Sequence, residues 1–149
     1  MPHITDDSNL VCHCLDTSLE ALVQVRTSKG QPSFLPPNMR IQLDGVSSNW
    51  GSTLFAHVAN MQHKRIIGHN ADVARNPVGS THEDIDALFG TAKEELIKTD
   101  CVTPSQMMAT IKKAFASYQL PVVLQYVDAV FDYAGYYAPH LDKSLSGYG

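Results

Sequence analysis

"HNADVARNPVGSTHEDIDALFGTAKEEL", residues His69 to Leu96, changes period in the middle. Its first part alternates like a half-buried strand and breaks at Asn76-Pro77. Its second part restarts as a helix with a spelled-out beginning. In Ser80-Thr-His-Glu83 the serine hydroxyl is placed to take the amide three residues on, while the glutamate returns to the serine amide. Ile85, Leu88, Phe89, Ala92 and Leu96 then fall on one helical stripe. Glu83, Asp84 and Asp86 favour the positive end of the helix dipole. The junction carries no obvious catalytic group.

Upstream, the spacing predicts short strands. Leu10 to Leu15 and Leu19 to Arg26 are β-friendly runs separated by Asp16-Thr-Ser18, and Leu19, Ala21, Val23 and Val25 share one face. Met39 to Val46 sets Arg40, Gln42 and Asp44 against Ile41 and Leu43. After a turn cluster at Ser47 to Gly51, Ser52 to Asn60 sets Leu54, Ala56 and Val58 against Thr53, Phe55 and His57. Met61 to Arg65 reads as a loop, and Ile66 to Ala74 as a last strand.

Downstream, Thr103-Pro-Ser-Gln106 repeats the helix-start device, with Pro104 where a missing N–H costs nothing. Met107, Met108, Ile111, Ala114, Phe115 and Tyr118 form its stripe, and a third helix is expected over about 121–135. The expected fold is α+β in one domain of residues 1–149. An N-terminal antiparallel sheet, a hairpin plus a meander over about 9–76, precedes two to three helices over 80–137.

Composition bounds the function. Of 149 residues, 44% are hydrophobic and only 17% charged, which leaves less surface than usual for water and favours a self-associating subunit. A net charge of −4 excludes a broadly basic nucleic-acid face, so any such contact is local. Met1-Pro-His-Ile-Thr-Asp-Asp7 has neither the basic nor the apolar region of a signal peptide, and three cysteines cannot all pair within one chain. An intracellular, reduced setting is expected, with no membrane span.

The chemistry-bearing residues are sparse. On a strand, Cys12-His13-Cys14 would put both thiols on one face, yet a zinc site needs further ligands and Cys101 is distant in sequence. Buried reduced cysteines explain the motif more simply. His57, His63, His69 and His82 match no metalloenzyme spacing, and no nucleophile elbow, phosphate loop or dinucleotide fingerprint occurs. The Met107-Met108 pair fits helix core. Tyr133, Tyr136 and Tyr137 around Gly135 fit either interface anchors or core.

Several pieces together resemble the coat proteins of single-stranded RNA bacteriophages, the levivirus-like family. They are Arg40-Ile-Gln-Leu43, Ser48-Asn49, Thr53-Leu-Phe-Ala-His-Val58, Ala71-Asp-Val73 and Ser80-Thr-His-Glu83 with Glu95-Leu96 beyond, covering about residues 9 to 112. The resemblance implies an intertwined homodimer whose sheets join edge to edge beneath crossing helices. Such dimers self-assemble into an icosahedral capsid around single-stranded RNA in the host bacterial cytoplasm, to end in the virion. It further implies an inner RNA-binding face of Arg40, Gln42, Thr53, Phe55, His57, Asn70 and Asp72, helped by Lys64 and Arg65. No catalytic residue, metal or cofactor is then expected. Two rival readings are a small metal-dependent α+β enzyme using Cys12, His13, Cys14 and a later histidine, and a non-viral homo-oligomeric adaptor.

Overall fold

The structure is a computed structural model and describes residues 8–43, 51–75, 84–118 and 122–141. It is mainly helical. In chain order come α1 (Ser8–Ser28), β1 (Asn38–Leu43), α2 (Ser52–His63), β2 (Asn70–Arg75), α3 (Asp84–Lys98), α4 (Pro104–Phe115) and the short α5 (Tyr133–Tyr137). One compact unit holds α1, β1, α2, β2 and α5; a second holds α3 and α4.

The expected antiparallel sheet of hairpin and meander does not form. Two of its predicted strands and the turn between them are the single helix α1. The period-two run Leu19, Ala21, Val23, Val25 fits a strand, but Cys12, Leu15 and Leu19 also fit a helix, and Cys12 and Leu19 are the buried pair. The polar trio Asp16-Thr-Ser18 sits mid-helix. Thr17 turns its hydroxyl back to the His13 carbonyl at 2.6 Å, and Asp16 finds its partners on other elements. Gly30, at φ +68°, closes the helix, with Gly30 N–H donating to Thr27 O (3.0 Å) and Gln31 N–H to Arg26 O (2.9 Å).

Ser52–His63 is likewise helix rather than strand. Leu54, His57, Val58 and Met61 are buried at spacings of three, one and three residues, a helical stripe that the alternation concealed. Gly51 is its N-cap. At its other end Arg65 takes the left-handed conformation, φ 57°, and its amide donates to Gln62 O (3.0 Å) while Ile66 N–H donates to Met61 O (2.9 Å).

Turning that segment into a helix reverses the pairing of the strands beside it. A crossover that contains the twelve-residue helix α2 returns the chain in the same direction, so β1 and β2 are parallel, from Asn38 opposite Asn70 to Leu43 opposite Arg75. Asn70 Nδ2 donates to Asn38 Oδ1 at 2.9 Å across the first rung. The expected alternation of β1 does hold: Ile41 is buried while Arg40 and Gln42 are exposed. Gly68 lets β2 begin beside β1. A Cβ there would lie 2.1 Å from the Pro37 carbonyl oxygen.

The core of this unit joins Cys12, Leu19, Ile41, Leu54, Val58, Met61 and Ile67 to Tyr133 and Tyr137. Leu54 is fully buried, worth about 1.5–3 kcal/mol in apolar burial.

In the helical unit, α3 and α4 pack together with Ala92 and Thr110 buried. The predicted start of α4 is present. Gln106 N–H donates to Thr103 Oγ1, and Thr103 N–H to Gln106 Oε1. Glu95 Oε1 meets Lys113 Nζ at 3.0 Å. The start signal Ser80 to Glu83 lies outside the described residues. The expected third helix over about 121–135 is absent among the described residues: 122–132 has no helix, and only Tyr133–Tyr137 turns. Asp132 instead caps a single turn, accepting from Gly135 N–H at 2.9 Å.

Candidate functional site

The residues expected to share one RNA-facing sheet are split among different surfaces. Arg40, Gln42, Asn70 and Asp72 do lie together on the exposed side of β1 and β2, with Arg40 directly opposite Asp72. That pairing sets an acid against the only base of the face among the described residues. Thr53 and His57 are instead buried on α2, while Phe55 is exposed on the same helix. Lys64 and Arg65 are exposed at its C-terminal end. A helix turns about 100° per residue, so positions that alternate on a strand scatter around it.

The same geometry corrects the thiol pair. Two residues apart on α1, Cys12 and Cys14 point about 200° apart around the axis, and Cys12 is buried while Cys14 is exposed. They cannot grip one ion side by side. Among the described residues, no three His, Cys, Asp or Glu side chains converge as metal ligands.

What the fold does assemble is a polar chain at the meeting of α1, α2 and α5. His57, only 5% exposed, uses both ring nitrogens: Nε2 lies 2.8 Å from Asp16 Oδ1 and Nδ1 lies 3.0 Å from the Tyr137 hydroxyl. Asn60 Nδ2 donates to that hydroxyl at 2.9 Å, and the Tyr133 hydroxyl donates to Asp16 Oδ2 at 2.7 Å. With the ring proton on Nε2, every donor points one way. Asn60 donates to Tyr137, Tyr137 to His57, and His57 and Tyr133 to the carboxylate. Each element contributes by its own spacing: Tyr133 and Tyr137 are one turn apart on α5, as are His57 and Asn60 on α2.

Burial, then the hydrogen bond to Asp16 and its negative charge, push the Tyr133 hydroxyl well above the usual phenol range. Burial also raises Tyr137, against an opposing pull from the Asn60 hydrogen bond. Both phenols stay protonated donors.

Beside this chain opens a cleft of about 340 Å³, lined by Asp16, Glu20, Asn60, Lys64, Phe131 and the three tyrosines 133, 136 and 137 among others. Phe131 and Tyr136 are 56% and 51% exposed at its mouth. Their rings meet edge to face, Phe131 with Tyr136 at 5.9 Å and Tyr136 with Tyr137 at 5.0 Å between centroids. The sequence left the three tyrosines open between interface anchors and core; Tyr133 and Tyr137 are core and Tyr136 is exposed. Asp16 was hidden by the turn reading, and Asn60 and Phe131 gave no signal of their own.

Compared with known families, residues 1–148 match the model described as Domain of unknown function (DUF7869). The chain belongs to that family. The DUF7869 description names no activity, so the cleft rests on its own chemistry. Neither the curated proteins nor the solved structures give a match.

No helix among the described residues is long and apolar enough to cross a membrane.

Proposed function

We propose that this chain is a non-enzymatic recognition module, an adaptor whose binding site is the cleft bordered by α1, α2 and α5. The observation that carries the reading is the pair of exposed aromatic rings, Phe131 and Tyr136, held at the mouth of a cleft whose inner wall is a fully satisfied polar chain. Rigid aromatics on a fixed wall give contact area at little entropic cost.

A catalytic reading of His57 has less behind it. A general base needs a nitrogen available to substrate, whereas both nitrogens of His57 already face Asp16 and Tyr137. The coat-subunit reading implied an antiparallel sheet with a wet inner face, whereas the two described strands are parallel with Arg40 set against Asp72.

A second observation favours self-association as part of the adaptor role. Phe89, Ile97 and Val102 are exposed in the helical unit, and Phe89, Lys93 and Ile97 follow one stripe of α3.

The test is fluorescence anisotropy with labelled unstructured peptides, basic, methylated and acidic, beside labelled single-stranded oligonucleotides. The reading expects at least one class to bind the full chain and to be weakened by Phe131→Ala with Tyr136→Ala. Binding unaffected by that pair, or no binding from any class, would contradict it.

A further inference from the structure

The lining of the cleft narrows what it can hold, and this step rests on the recognition reading above. Asp16 and Glu20 stand one turn apart on α1 and line the same cleft, against one ammonium, Lys64, exposed at its rim and the imidazole of His57 in its wall. Two carboxylates disfavour a phosphate or carboxylate ligand and favour a cation. The aromatic residues add to this preference, because the face of a ring carries partial negative charge and attracts cations.

Asp16 also restricts which cation fits. Each of its oxygens already accepts one hydrogen bond, Oδ1 from His57 and Oδ2 from Tyr133, so a guanidinium seeking a two-pronged grip there would share both oxygens with the bonds that hold the wall together. A primary ammonium would give up water for hydrogen bonds to the exposed Glu20 and few others. A methylated ammonium needs none. Its charge is spread over methyl groups that pack against rings, and Phe131 and Tyr136, both exposed, line the cleft and meet edge to face rather than stacked. The hydroxyls of Tyr133 and Tyr137 are tied into the polar chain, so these residues present their apolar bodies.

We propose that this cleft binds a methylated ammonium group. Two sources share that chemistry: the trimethylated end of a lysine side chain on a partner peptide, and a free quaternary amine. The experiment titrates the full chain, followed by amide NMR, with three probes: capped trimethyllysine, choline, and 3,3-dimethylbutanol, the neutral isostere of choline.

The expected result is saturable shifts at residues 16–20, 57–64 and 131–137 with both cations, and binding at least about 5-fold weaker for the isostere. Tighter binding of capped trimethyllysine than of choline assigns the peptide source, and the reverse order assigns the small amine. Tyr136→Ala weakens the cations about 5- to 30-fold while Tyr136→Phe retains them, and Glu20→Gln weakens them too. These side chains are exposed, so the variants keep the wild-type spectrum elsewhere. Equal binding of the isostere would overturn the cation class and leave the cleft as a binding site. Absence of shifts with every probe overturns the proposal, and the recognition reading falls with it only if the labelled peptides and oligonucleotides also fail to bind.

Discussion

Asp16 and His57 are 41 positions apart in sequence and 2.8 Å apart in space. The contact ties α1 to α2, and the Tyr133 hydroxyl on the other carboxylate oxygen adds α5 to the same node. Asp16 is half-buried, so its charge is partly screened, and His57 is not. Asp16→Asn should lower stability by about 1–3 kcal/mol in urea unfolding, since a buried ring loses a charge-assisted partner. Tyr137→Phe should cost about as much, because it strips a partner from both His57 and Asn60. An unchanged unfolding midpoint for both variants would mean that the chain of bonds does not hold the three helices.

Tyr133 gives the network an alkaline signature. Its phenol is held above the ordinary 10.0 by burial first and by Asp16 second. The folded chain therefore keeps a proton that the unfolded chain gives up. The stability from this group is intact below pH 10 and is lost as pH rises toward the folded value. Absorbance titration at 295 nm should show fewer phenolates in the folded protein than in urea just above pH 10. In Asp16→Asn the difference should shrink.

Two backbone positions in the segment after α2 should respond with opposite signs. Arg65 occupies a left-handed conformation that costs a side-chain-bearing residue about 1 kcal/mol, so Arg65→Gly should be neutral to stabilising by up to about 1 kcal/mol. Gly68→Ala should destabilise by about 1–3 kcal/mol, because its methyl would meet the Pro37 backbone, which cannot swing aside as a side chain can. Thermal unfolding of the two variants checks both.

In the helical unit the pair Glu95 and Lys113 predicts an acid dependence. The Lys113 hydrogen bond and charge hold the Glu95 carboxyl below its ordinary 4.5. The contribution is therefore present above pH 4.5 and lost as pH falls through the folded value. Wild type and Glu95→Gln should differ slightly in melting temperature at neutral pH and converge in acid. A gap that widens in acid would reverse the assignment.

If the exposed stripe of α3 mediates self-association, light scattering should report a mass above the 16.4 kDa monomer for wild type and the monomer mass for Phe89→Lys with Ile97→Lys. A monomeric wild type at high concentration would remove that part of the reading.

Legibility in the sequence followed how local the deciding contacts were. The capping exchange of Thr103 and Gln106 and the alternation of Arg40, Ile41 and Gln42 are settled within a few residues, and both read correctly. Ser8 to Ser28 and Ser52 to His63 did not. Their apolar residues satisfy period two and period 3.6 at once, and β-branched valines tilted the reading toward strand. Asp16 looked like a turn because its partners, His57 and Tyr133, are remote in the chain. Once Ser52 to His63 became a helix, the parallel pairing of β1 and β2 followed from the length of the crossover. The candidate site was half legible: its tyrosines stood out, while the acid that organises them did not.

In the proposed function the cleft is one binding surface built from three helices that are distant in sequence. Amide NMR of the full chain, recorded while the tightest-binding labelled peptide or oligonucleotide is added, reads this directly. The predicted result is a single saturating response confined to residues 16–20, 57–64 and 131–137, all moving with one affinity. Shifts that leave these three segments untouched, or that gather on the exposed face of Arg40, Gln42, Asn70 and Asp72 instead, would contradict it.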